Sequence, residues 1–263
     1  MRKDVYITND AGSWSVVAAD AVERIVDDYR NDDKKFVEAY EAALFAIEGD
    51  DSNVVRIVVD EPLTEAEERE WIAVSRWRLK ASGGKVLVSG GFDPDCLAEW
   101  QTDGETGYVK EIDVPPGDYH LSFYTYLHSM NGAVWQEDFY GKPLLPKLAP
   151  WFRRDHAGRS LPTWLLAQLS DEDLDDNDEW KPIVETIKSG RIVIEREPLH
   201  WIGYLFHLMP FLPEMELDKP ENAWLDSRDG LRVPATFPLG ITTDCTSDTE
   251  IESRITSWLD RLK

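Results

Sequence analysis

The sequence predicts an α+β protein. An antiparallel, β-sandwich-like half covers residues 1–132, and an α-rich half over 133–263 packs on it. Three observations predict this division. Between Glu70 and Ser129 apolar and polar residues alternate with a period of two, broken by Gly and Pro turns, as in half-buried strands. Past Asn131-Gly132, Pro143, Pro146 and Pro150 interrupt any regular element and mark a seam. Beyond the seam, helical spacing with capping signals comes forward.

From the N-terminus, Val5–Thr8 and Ser13–Ala18 read as short strands joined by the turn residues Asn9-Asp10-Ala11-Gly12. Asp20 is placed to cap a short helix whose Val22, Ile25, Val26 and Tyr29 share a face. Phe36, Tyr40, Leu44 and Ile47 have helical spacing, yet Ala43–Glu48, a Gly-Asp-rich turn and the β-branched Val54–Val59 read as a hairpin, which is the reading adopted. Thr64 and Glu67 have capping-box spacing, so a helical turn is expected before Glu70.

Trp71, Ala73, Ser75, Trp77 and Leu79 lie on one strand parity and Ile72, Val74, Arg76, Arg78 and Lys80 on the other. Ser82-Gly83-Gly84 turns this strand into Lys85–Ser89. After a polar loop, Tyr108–Val114, Pro115-Pro116-Gly117-Asp118 and Tyr119–Leu127 form a second expected hairpin. In the second half, 161–169 and 180–188 read as helices and 191–195 as a strand. Pro198–Phe211 is a strongly apolar core segment, too short for a membrane span. Ser247 and Glu250 open a last helix with an Ile251, Ile255, Trp258, Leu259, Leu262 stripe.

The 51 acids outnumber the 28 bases, leaving a formal charge of −23. That excess repels polyphosphate, which argues against direct nucleic-acid binding, and it argues equally against anionic membrane surfaces. It favours a basic partner reached by electrostatic steering; the plainer alternative is a solvated, solubilising surface. The two cysteines, Cys96 and Cys245, lie in no CxxC or Cys/His cluster. The first residues lack the apolar run of a signal peptide, and no eighteen-residue apolar window occurs. A reducing cytoplasm with both thiols unlinked is therefore expected.

No GxGxxG, GxxxxGK[ST], GxSxG or HExxH is present, so no catalytic residue is assigned. His200 and His207 would share a face if their segment were helical and could then form a metal pair, but no third ligand motif accompanies them. His120 and His128 share a strand parity but are too far apart for one ligand. Neither a metal nor another cofactor is expected. Arg153–Arg159 is the one locally basic stretch, suited to an anion or to neutralising the acidic surface.

The densest candidate partner surface is Asp171, Glu172, Asp173, Asp175, Asp176, Asp178 and Glu179, seven acids with no base among them. The run lacks the glycine-bearing calcium-loop pattern. Trp164 and Trp180 flank it and could anchor a partner through apolar contact. The chain holds eleven tryptophans, of which Trp71, Trp77, Trp201 and Trp258 sit at core-like positions.

Val74–Phe123 resembles the bacterial competence nuclease-inhibitor (ComJ-like) family. The likeness is carried by an Arg/Trp-bearing strand, a Gly turn, a strand ending in Val-Ser, a polar loop and Ile112-Asp113-Val114-Pro115-Pro116-Gly117-Asp118-Tyr119-His120-Leu121. It covers about a quarter of the chain and implies a β-sandwich that binds and inhibits a nuclease. Independently, a charge of −23 suits an inhibitor of a basic nuclease, since it can imitate the phosphate backbone.

The function expected from the sequence is thus a non-catalytic acidic interaction protein, of an immunity or nuclease-inhibitor kind, binding a basic nuclease or toxin. The alternative is a small-ligand or carbohydrate-binding module that uses tryptophans at the seam. A hydrolase with a carboxylate pair is the third class.

Overall fold

The computed structural model describes residues 1–9, 11–31, 34–49, 53–103, 107–132, 134–135, 200–228, 231–232 and 238–243, with only the backbone for 100–103 and 200. In chain order the elements are β1 (Arg2–Ile7), β2 (Ser13–Ala18), a 3-10 turn (Ala19–Ala21), α1 (Val22–Arg30), α2 (Lys35–Glu38), β3 (Ala42–Ala46), β4 (Asn53–Val59) and α3 (Glu65–Glu70). They continue with β5 (Trp71–Ala81), β6 (Lys85–Ser89), α4 (Pro94–Asp103), β7 (Val109–Asp113), β8 (Gly117–Tyr126), β9 (His200–Pro210), β10 (Trp224–Asp226) and β11 (Thr242–Thr243).

Two sheets result. The first has the order β1-β4-β9-β8-β5, with β11 against the start of β9; the second runs β10-β3-β2-β6-β7. Both are mixed, because β4 and β9 are parallel and so are β3 and β10. The path between the sheets is regular. The chain crosses from one sheet to the other between β1 and β2, β3 and β4, β5 and β6, β7 and β8, β9 and β10, and β10 and β11.

The expected strands therefore form, but the expected hairpins do not. Lys85–Ser89 pairs with β2 and β7 rather than with β5, and β8 pairs with β5 and β9 rather than with β7. Likewise β3 and β4 sit in different sheets. A Gly- or Pro-rich turn reverses the chain equally well within a sheet or across the gap between two, so turn chemistry alone does not choose.

The fold-class expectation is overturned in its second half. After residue 135 the described elements are strands, and β9 is the middle strand of the first sheet. Its sequence hides the strand period because most residues on both faces are buried, one face against the second sheet and the other in an outer apolar cluster. Tyr204, Phe206 and Leu208 enter the core between the sheets, whereas Ile202 and Leu205 join Val54, Val58, Tyr126 and Ile241 on the outer face. The parity changes at a bulge. Val54 faces Ile202 but Val55 faces Tyr204, so Gly203 is the extra residue. A Cβ on Gly203 would lie 2.3 Å from Asn53 Oδ1, so a larger residue there requires the Asn53 side chain to move. The helices read at 161–169, 180–188 and 247–262 and the strand at 191–195 lie outside the described residues.

The main core lies between the sheets. Phe123 and Trp77 are buried there, as their strand parity predicts. Phe45 of the second sheet lies 4.5 Å from Phe123 of the first, ring centre to ring centre, and Trp14 lies 5.1 Å from Tyr204. Val22, Ile25, Val26 and Phe36 extend the same core from α1 and α2.

The outer side of the first sheet carries a charged network. Arg56 donates two hydrogen bonds of 2.7 Å to Asp4 and one of 2.9 Å to Glu67, which also accepts from Arg2. Thr64 and Glu67 form the expected capping box at the start of α3. The free edge of β5 is covered by other parts of the chain. Asp218 N–H donates to Arg76 O, Arg232 N–H donates to Ile72 O, and Lys80 N–H donates to Tyr40 O. Covering an edge in this way removes a template for unwanted strand pairing.

Candidate partner-binding face

The residues singled out from sequence as the partner surface, Asp171, Glu172, Asp173, Asp175, Asp176, Asp178, Glu179, Trp164 and Trp180, lie outside the described residues, as does the basic stretch 153–159. Among the described residues, the strongest candidate face is built by α1, the start of α4 and the turn before β10.

Val22, Ile25 and Val26 bury one side of α1. Tyr29, expected on that buried stripe, is instead 54% exposed. It sits in the last turn of α1 and meets Phe92 edge-on, at 5.9 Å and 87°. Asp20 does not cap this helix: it stands in the 3-10 turn, and the N-cap is Ala21 without a side-chain cap bond. A tight turn already precedes the helix, leaving no extended residue in position to cap it.

The polar loop expected after Ser89 contains α4. Asp93 Oδ1 accepts from the N–H groups of Asp95 and Cys96, and Pro94 opens the helix. Asp followed by Pro at a helix start is a signal the sequence reading passed over. It places Phe92 directly before the helix. Phe92 then meets Tyr29, Phe36 at 5.7 Å and Trp224 at 6.2 Å.

Trp224 is held by a two-residue turn. Glu221 and Trp224 exchange both backbone hydrogen bonds at 2.8 Å, and Asn222 and Ala223 adopt φ of 49° and 77°. Those angles define the type I′ turn, which normally takes glycine at one or both positions. Asn222 suits the first of these positions but Ala223 lacks the glycine expected at the second, so the sequence marks the turn only in part.

Charge around these rings is unbalanced. Arg30 is tied to Asp95 at 2.5 Å, Arg24 to Glu41 at 2.5 Å, and Lys34 Nζ donates to Asn222 O at 3.2 Å. The hydrogen bond and charge of Glu41 raise the Arg24 pKa above its ordinary value. Arg228 forks onto Asp226 and holds that carboxyl below the usual range. Glu23, Asp27, Asp28, Asp93, Glu99 and Glu221 form no ion pair with a described residue. The face thus joins the exposed Tyr29 and the half-buried Phe92 and Trp224 to elements carrying more carboxylates than ion-paired bases, a combination suited to a cationic protein surface.

The other candidates from sequence fare differently. His200 and His207 lie on strand β9, so seven residues separate them by about 23 Å, and the helical metal pair does not form. His207 Nε2 instead bonds Glu61 O at 2.8 Å. Among the described residues no group of three His, Cys, Asp or Glu could hold a metal ion. Trp77 and Trp201 are buried, and Trp71 is half-buried under the Arg232 guanidinium at 3.5 Å. Trp14 and Trp135 are also fully buried. Cys96 is exposed on α4, and Cys245 lies outside the described residues. No described helix is long and apolar enough to cross a membrane.

No protein-family model matches the chain. No curated protein matches it. Among solved structures, 56% of the chain is similar to 94% of a protein described as crocagin biosynthetic gene J, at 16% identity and a TM-score of 0.33. A further 84% of ComJ from Bacillus subtilis, inhibitor of the DNA degrading activity of NucA, is similar to 49% of the chain, at 12% identity and a TM-score of 0.30. The chain thus carries a weak, partial likeness to ComJ in structure as well as over 74–123 in sequence.

Proposed function

We propose that this protein is a non-catalytic acidic binding protein whose partner is a basic protein, of the nuclease-inhibitor kind. The observation that carries the reading is the disposition of charge. Arg24 and Arg30 beside the α1/α4 face are held by carboxylates of the same chain, so other carboxylates of α1 and α4 have no ion pair among the described residues, in a chain of net charge −23. A nuclease that grips a polyphosphate backbone presents a positive groove, and an acidic face competes for that groove by the same electrostatics. The run 171–179, with Trp164 and Trp180 beside it, is proposed as a second acidic contact. A reducing cytoplasm is the proposed setting, since two cysteines far apart in sequence suggest no disulfide framework.

The test is a panel of basic nucleases assayed on plasmid DNA with and without the protein. Stoichiometric inhibition of at least one, weakening as salt is added, is expected. Absence of both binding and inhibition across the panel at low salt refutes the reading. For an inhibited nuclease, a variant with Asn and Gln across 171–179 is expected to associate more slowly, with a flatter salt dependence, if that run takes part.

A further inference from the structure

We infer that the Tyr29–Phe92–Trp224 cluster is a receptor for an arginine side chain of the basic partner. The inference rests on the acidic-binder reading above and adds which chemistry of the partner is recognised.

Three other rings at the surface of the chain carry a cation. Tyr40 lies under the Arg78 guanidinium at 4.8 Å and under Lys80 Nζ at 5.3 Å. Phe211 covers the other side of Arg78 at 4.5 Å, and Trp71 lies under Arg232 at 3.5 Å. Each of these rings thus carries a cation of its own chain. Tyr29, Phe92 and Trp224 carry none among the described residues, although Arg30 and Lys34 stand beside them. Those two bases are turned to other partners, Arg30 to Asp95 and Lys34 to the Asn222 carbonyl. The edge-on meeting of Tyr29 with Phe92 leaves at least one π-face of Tyr29 clear of that ring. Asp28 and Asp93 are the chain neighbours of Tyr29 and Phe92, an acidic setting in which an aromatic surface attracts a cation, and Arg30 and Lys34 are engaged elsewhere.

Arginine fits this surface better than lysine. A guanidinium is planar, stacks on a ring while its edge forks onto a carboxylate, and sheds water more readily than an ammonium. The receptor is also pre-organised. Phe92 touches three rings, and the hydrogen-bonded turn at Glu221–Trp224 holds the third, so little freedom is lost on binding.

The experiment uses the full chain and two labelled peptides of equal charge, octa-arginine and octa-lysine, titrated at low salt by fluorescence anisotropy. Octa-arginine is expected to bind about fivefold tighter than octa-lysine. Tyr29→Ala, a substitution at an exposed position, should remove most of that difference while changing octa-lysine affinity less than about twofold; Tyr29→Phe should keep it. Equal affinity for the two peptides, or an arginine preference untouched by Tyr29→Ala, overturns the inference and leaves the acidic-binder reading standing. Failure of both peptides to bind overturns both.

Discussion

Replacing Phe123 with Ala tests the packing between the sheets most directly. The ring is fully buried on the inner face of β8. It stacks on Phe206 at 4.8 Å and Tyr204 at 5.4 Å within its own sheet and meets Phe45 of the other sheet at 4.5 Å. Loss of the transfer free energy of a buried Phe is worth about 1.5–3 kcal/mol. The cavity left among rigid rings raises the total to about 3–5 kcal/mol. Ring–ring contacts are worth about 0.5–1.5 kcal/mol each beyond burial, which places the expected loss in the upper part of that range. Urea unfolding should show the midpoint fall with the slope unchanged. Tyr124→Ala is the control, since Tyr124 is the next residue, half-buried on the opposite face against Trp71. It should cost about 1–2 kcal/mol. A loss below about 2 kcal/mol for Phe123→Ala, or one no larger than for Tyr124→Ala, would refute the placement of Phe123 between the sheets.

Stability should fall on acidification in two stages. Burial depresses the His207 pKa below its ordinary 6.5 and that of His128 to about 3. The unfolded chain therefore takes up protons first, and the stability these imidazoles give above pH 6.5 is lost as the pH falls below it. Burial raises the carboxyls of Asp4 and Glu67, but hydrogen bonds and charge from Arg56, with Thr243 at Asp4 and the Thr64 N–H at Glu67, outweigh it and leave both below their ordinary values. Their contribution is lost below about pH 4.5. Thermal melts from pH 8 to 3 should show both stages, and His207→Gln should shrink only the first; a melting temperature constant down to pH 5 contradicts this. Gly203→Ala should cost about 1–3 kcal/mol, and much of the loss should vanish in an Asn53→Ala background, a coupling that a double-mutant cycle measures. Ala223→Gly should stabilise by about 0.5–1 kcal/mol, because it relieves a left-handed backbone at a residue with a Cβ; destabilisation in urea would rule that out.

The sequence by itself determined most of the strands, the Thr64–Glu67 capping box, the burial of Trp77 and Phe123, and the acidic character of the chain. These are local or additive properties. Alternation is legible wherever one face of a strand stays polar, as in Trp71–Lys80, and a capping box needs only four residues. What pairs with what was decided by the tertiary structure. Each short turn hands the chain to the opposite sheet, and a turn residue encodes a reversal of direction without saying which sheet receives the next strand. The segment His200–Pro210 shows no period because both of its faces are covered, one by the second sheet and the other by the cluster around Ala66 and Ile241, and that covering exists only once the chain has folded. The Tyr29–Phe92–Trp224 cluster was illegible for the same reason. Its three rings come from a helix end, a helix start and a turn spread over nearly two hundred residues, and only the packing of α1 and α4 beside β10 brings them together.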